Sequence, residues 1–338
     1  MRRFLFLLVL AVALPVHGAG RKPVLLDAPS AFVLPRGQLE TALFIEKVNE
    51  TIDIFDVKGS QLSDLRGRTD LDLGAIGDLD GFRAVVGLGL GHRSLFQYVG
   101  RRQDIAFGAG TLERAGDELH LRYVVHRGRE DGTTLALEPI FRSNRGSGIA
   151  RTFTRFEAFG VIIVPPQPIR LEFGGAKDES YALRLSGTRQ LFDHGLLSMW
   201  TEFERVSVES ELRTNLPLVE LQRILGALEY ESSQWHFGIG VNWQFSGKFA
   251  AHVRYERLAI DRDINDRIPG VVDTNDIVRA RFDYAILPEW TVNLQFDYFG
   301  SQLGGEVPFL FNELSASRFD KVYGYAGLGV THRVDFGD

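Results

Sequence analysis

The run Trp235-His236-Phe237-Gly238-Ile239-Gly240-Val241-Asn242-Trp243-Gln244-Phe245 puts six apolar residues on one parity and His, Gly, Asn and Gln on the other. Strict alternation is the signature of a β-strand, and eleven residues is about twice the usual length of a strand in a soluble domain. Ser246-Gly247-Lys248 then turns the chain, and alternation restarts with Phe249, Ala251, Val253 and Tyr255 against Ala250, His252, Arg254 and Glu256. The two segments predict a hairpin with one apolar and one polar face.

The same pattern recurs along the chain. Val278, Ala280, Phe282, Tyr284 and Ile286 alternate with Arg279, Arg281, Asp283 and Ala285; after Leu287-Pro288-Glu289, Trp290, Val292, Leu294, Phe296 and Tyr298 alternate with Thr291, Asn293, Gln295 and Asp297. Upstream, Phe82, Ala84, Val86, Leu88 and Leu90 are interleaved with Arg83, Val85, Gly87, Gly89 and Gly91, and Leu119, Leu121, Tyr123 and Val125 with His120, Arg122, Val124 and His126. Residues 149–164, 168–190, 195–208 and 217–230 also hold strand-forming runs, but more than one phase fits them.

A soluble sandwich buries its apolar face with strands of about five or six residues. Here the apolar rows are aromatic-rich and twice as long, and the opposite rows carry Arg, Asp, Glu, His, Asn and Gln. That pattern predicts lipid outside and a hydrated or hydrogen-bonded interior, hence an all-β, up-and-down antiparallel transmembrane barrel. Lipid offers no partner to an unpaired sheet edge, so the sheet must close. Trp235, Trp243, Trp290, Tyr255, Tyr284 and Tyr298 fall near the ends of the rows, where an interfacial girdle would lie. Short connections at 246–248 and 287–289 alternate with longer ones at 261–275 and 300–320, as periplasmic turns and outer loops do. At about 20 residues per strand and connection the expectation is about 16 strands, with 12 or 14 left open.

The N-terminus has its own order. Arg2 and Arg3 precede an apolar run from Phe4 to Leu14, and Gly18-Ala19-Gly20 supplies the small residues of a cleavage site, so residues 1–20 read as a secretory signal peptide. Its removal would take the formal net charge from -6 to -8 by subtracting Arg2 and Arg3. Residues 21–37, with Pro23, Pro29 and Pro35, form a lead-in destined for the periplasm or the lumen, and 38–338 form the barrel. The 338 residues contain no Cys, which excludes disulfides, thiolate-metal sites and a lipid-modified N-terminal Cys. Thirty-eight basic against 44 acidic side chains give no electrostatic reason to expect nucleic acid. Beyond the first twenty positions no apolar run is long enough for a membrane-spanning helix.

The last segment carries Leu328, Val330, Val334 and Phe336 at alternate positions, interrupted by His332 and followed by Gly337-Asp338. With the rest of the pattern, this resembles the Gram-negative outer-membrane β-barrels of porin or transporter type. The resemblance implies the bacterial outer membrane as location, with outer-membrane lipid, lipopolysaccharide, the barrel-insertion machinery and small solutes as partners.

Chemistry is sparser than architecture. Arg83, His120, Arg122, His252, Arg254, Glu256, Arg279, Arg281, Asp283, Asn293, Gln295 and Asp297 are the lumen-lining candidates. They would either set charge selectivity for solutes or pair with one another and brace the barrel. The expected role is passage or binding of small solutes without covalent chemistry; a structural barrel, or one accessory to surface-polymer export, is the alternative, and a barrel hydrolase the third. His92 and Ser94 are two apart, as on one strand face, but lack an orienting partner. Gly87-x-Gly89-x-Gly91 has no following helix and reads as room in the barrel interior. Asp261-x-Asp263-x-Asn265 opens like a calcium loop but has Asp266 and Val272 where Gly and Glu are required. Asn49-Glu50-Thr51 matches a glycosylation sequon without meaning in this setting. No cofactor, metal site or catalytic residue is expected.

Overall fold

In the computed structural model the described residues are 29–48, 76–107, 110–128, 132–154, 156–158, 161–164, 166–192, 194–215, 229–264, 271–308 and 322–336. The signal-peptide segment, the sequon, residues 265–270 of the loop at 261–275 and residues 309–320 of the loop at 300–320 lie outside them. Twelve long strands make the wall: β1 (Gln38–Val48), β2 (Ile76–Gly89), β3 (Ser94–Phe107), β4 (Gly110–Arg127), β5 (Thr134–Gly146), β9 (Ile169–Leu191), β10 (Gly195–Thr214), β11 (Tyr230–Gln244), β12 (Phe249–Arg262), β13 (Thr274–Ala285), β14 (Trp290–Phe299) and β15 (Tyr323–Asp335). Each pairs antiparallel with its neighbours, β5 with β9, and β15 closes on β1 in a register running from Gln38↔Asp335 to Lys47↔Ala326. The three short strands β6 (Ile149–Phe153), β7 (Phe156–Ala158) and β8 (Val161–Ile163) stay out of the wall; β6 extends the far end of β9, and β7 pairs with β8.

The closed count is twelve, not about sixteen. Strand length accounts for the difference: β9 has 23 residues, β10 20 and β4 18. Residues 149–164, which the sequence leaves ambiguous in phase, supply only β6 to β8. The count matters for function, because eight strands leave an interior just filled by side chains whereas sixteen to eighteen leave an aqueous channel. Twelve strands fall between these cases.

Alternation sorts the side chains as the sequence anticipates. Every one of the twelve strands presents at least one exposed large apolar residue, among them Ile45, Phe82, Leu121, Leu183, Phe237, Phe282, Leu294 and Leu328. Such a continuous apolar belt far exceeds the patches a soluble monomer leaves in water. Trp235 and Trp243 stand eight residues apart on β11, about 27 Å of strand at ~3.4 Å per residue. At a tilt near 40° this is about 20 Å along the axis, close to the height of the apolar band of such barrels. His332, which breaks the apolar row of β15, also faces outward and stacks on the Trp290 ring at 4.1 Å.

Connections divide by side. Residues 90–93, 128–133, 192–194, 245–248 and 286–289 connect strands at the end where β1 starts and β15 stops, and the long connections lie at the other end, together with the short one between Phe107 and Gly110. His92 sits in the first of these turns, exposed, with its carbonyl accepting from Arg127, so His92 and Ser94 do not share a strand face.

Candidate functional site: a filled lumen

The inward parity of each strand is dictated by the outward one, and it brings charge into the interior at every level. All twelve sequence-derived candidates point inward, with Arg83, His120, Arg122, His252, Arg281, Asp283, Asn293, Gln295 and Asp297 buried and Arg254, Glu256 and Arg279 partly so. They do not form one site. Near the short-turn end, Asp283 is held by His252 at 3.0 Å, by the Arg281 Nε at 2.7 Å and by the Asn293 amide at 2.7 Å, while Arg333 donates to Glu40. Higher on the same side, Arg279 and Gln295 both donate to Asp297, and Arg83 bridges Glu46 (2.9 Å) and Gln295 (2.8 Å).

The opposite wall carries an unbroken chain of alternating charge. Arg122 donates to Glu138 at 3.2 Å; Arg184 joins Glu138 to Glu202; Arg142 joins Glu202 to Glu204; and His236 joins Glu204 to Glu256 at 3.2 and 3.1 Å. His120 closes the near end between Glu138 and Glu118. This chain crosses six consecutive strands, from β4 to β12. Glu256 therefore finds its partners on β11 and β10, where Trp200 Nε1 also donates to it at 3.3 Å, rather than among the arginines of β13. Charges taken out of water are tolerated only when paired, and the chain places an ionic partner beside each of its members.

Glu202, Glu204 and His236 bring potential metal-ligating atoms within 4.8 Å of one another. Their carboxylates already hold Arg142 and Arg184, so a cation there would have to displace a guanidinium.

Among the described residues, two segments enter the lumen. Residues 29–37 fold inside from the short-turn end: Leu34 packs on Val85, Leu95 and Val99, Ala31 on Val124 and Ala136, and Arg122 donates to the Phe32 carbonyl at 3.0 Å. Gly89 is required here, since a Cβ would lie 1.8 Å from the Pro35 carbonyl oxygen. At the long-loop end, residues 300–308 dip inward. Glu306 accepts from Tyr230 (2.6 Å), Gln234 (2.7 Å) and both Nε and Nη2 of Arg262 (2.7 and 3.1 Å). Leu303 and Val307 complete an apolar layer with Val48, Leu79, Ile105, Leu112, Val206, Phe299 and Tyr323.

Between the two segments runs a string of cavities. One of about 460 Å³ opens at the short-turn mouth between Glu40, Lys248, Arg281, Asp283 and Arg333. A narrow neck of about 30 Å³ at Pro29 and Trp200 follows, sharing Arg281 with the first. A chamber of about 210 Å³ beneath Gly305 and Glu306 shares Pro29, Arg254 and Arg279 with the neck. Trp200 reaches into the neck because Gly238 has no Cβ, which would otherwise stand 2.0 Å from the indole.

Most of this was beyond the sequence candidates. Glu138 and Arg142 lie in a stretch that the sequence leaves unassigned, Arg184, Glu202 and Glu204 in segments of ambiguous phase, and Glu306 in a connection. The one local signal among the first five was charge on one parity, at Glu138 and Arg142 and at Glu202 and Glu204.

No family model and no curated protein matches the chain. Among solved structures it is similar to the translocator domain of the autotransporter NalP from Neisseria meningitidis (10% identity, 89% of this chain and 90% of that one, TM-score 0.48). It is also similar to a Pseudomonas aeruginosa FadL homologue (9%, 92% and 93%, 0.46) and to an outer membrane channel from Pseudomonas putida F1 (8%, 91% and 100%, 0.47). At this distance the likeness concerns the shape of the wall. The closed register, the apolar exterior and the polar interior described above make the chain an outer-membrane-type β-barrel.

Proposed function

We propose that the protein sits in a bacterial outer membrane and takes small solutes into its lumen, binding or passing them without covalent chemistry. The observation that carries this reading is the string of cavities, which enters from the short-turn mouth and ends under a single inward-folded segment. Twelve strands give a lumen that long side chains nearly fill, so this reading calls for small solutes and for displacement of residues 300–308. The lipid, lipopolysaccharide and insertion machinery contacted by such a barrel belong to the same proposal.

The ion-pair chain from Arg122 to Glu256 favours a second reading, a closed barrel that braces itself and transports nothing. Planar-bilayer recording separates the two. The solute reading expects rare, small openings in the intact protein and larger, longer ones in Glu306→Ala; silence in both, from barrels that still shift on heating in SDS gels, would establish the second.

A further inference from the structure

The upper chamber contains one buried guanidinium that the ion-pair network leaves out. Arg122, Arg184 and Arg262 each meet a carboxylate at 2.6–3.2 Å. Arg114, on β4, is only 6% exposed, yet no carboxylate among the described residues lies within 4.0 Å of it. Its contacts are two amide oxygens, Gln103 at 3.5 Å and Asn144 at 3.2 Å, and its Nε has no acceptor. Beside it on β3, Arg101 also has a buried Nε without an acceptor and reaches Glu118 only at 3.8 Å. The nearby carboxylate of Asp178 is taken up by the Asn144 amide (2.6 Å) and the Val307 N–H (3.2 Å). Tyr325 lines the same chamber as these two arginines and Arg83.

A buried charge without a partner is costly, and a guanidinium fork is satisfied best by an anion with two oxygens in one plane. From this geometry we infer that Arg101 and Arg114, with Tyr325, form a binding site for one small oxyanion, a carboxylate or a phosphate. Both arginines and Tyr325 line the 210 Å³ chamber. At ~30 Å³ per liquid water molecule, that volume suits an anion of a few heavy atoms. The backbone of residues 300–308 roofs the site: a Cβ on Gly305 would stand 2.9 Å from Arg114 Nη2. The site rests on the reading that solutes enter the lumen, and it specifies their charge.

The test is calorimetric titration of the barrel in neutral detergent at low ionic strength, with inorganic phosphate in one arm and succinate in the other. Saturable one-site binding of either anion, weakened at least tenfold in Arg114→Gln and kept within about threefold in the exposed Arg205→Gln, is the expected result; the arm that binds names the oxyanion. Lack of saturable binding in both arms, or equal binding by wild type and Arg114→Gln, overturns the site. Should Arg114→Gln fail to fold, the less buried Arg101→Gln carries the same expectation, and unchanged binding there overturns it equally. Binding by a barrel that never conducts would keep the site and defeat passage, whereas conductance without binding would do the reverse.

Discussion

The two ends of the lumen are closed by different physics. At the long-loop end the closure is a packed apolar layer in which Leu303, Val307, Phe299 and Tyr323 are buried, pinned chiefly by Glu306 with four hydrogen bonds and by Asp178, which accepts from the Val307 N–H. At the short-turn end the mouth stays open as the 460 Å³ cavity, and residues 29–37 lie along one side of the wall. This apolar plug depends on two buried carboxylates, Glu306 and Asp178, and loss of Glu306 also takes from Arg262 the carboxylate it meets. An open polar mouth can lose a pair and let water replace it.

The largest expected effect tests the plug. Glu306→Ala removes the carboxylate that the buried Arg262 meets, and removal of one partner of such a pair costs about 3–5 kcal/mol. Urea unfolding in micelles, followed by tryptophan fluorescence, measures this; a loss under 1 kcal/mol would show that the plug is not anchored by that carboxylate. Next comes the wall common to both ends. Ile239 lies midway between Trp235 and Trp243, and Ile239→Arg is expected to cost about 2–4 kcal/mol, the penalty for a cation at mid-depth on the lipid face. A neutral outcome would remove Ile239 from the centre of the belt.

Glu40→Ala at the open mouth is expected to cost about 1–2 kcal/mol, because Arg333 can turn to water there. A loss equal to that of Glu306→Ala would erase the contrast between the ends. Arg205→Gln breaks a pair with Glu231 in which both side chains are largely exposed, and the unfolding midpoint should not move.

The legible part of this molecule was the part governed by parity. From Phe82 to Gly89, Leu119 to Val125, Trp235 to Gln244, Val278 to Ala285 and Trp290 to Tyr298, alternation placed side chains in or out, whereas His126, on the inward parity, is exposed past a register shift. Strand number was misread because alternation reports where a strand runs but not how far it continues beyond the lipid; β9 and β10 extend well past the belt. The ion-pair chain was hidden for a different reason. Arg184, Glu202 and Glu204 sit in segments whose phase the sequence leaves open, so their side became evident only from the pairing of β9 and β10. Glu306 could not be found by any periodicity, because a connection has none.

What the amino-acid sequence determined by itself was a closed barrel with an apolar outside and a charged inside, since lipid forbids an open edge and a period of two admits only two faces. The mean hydropathy of -0.06 is the sum of those two interleaved faces. Tertiary structure decided how many strands closed, which inward charges met, and which segments folded back to fill the space. Those outcomes depend on strand tilt, register and the reach of side chains across a curved wall, quantities that no local stretch of the chain contains.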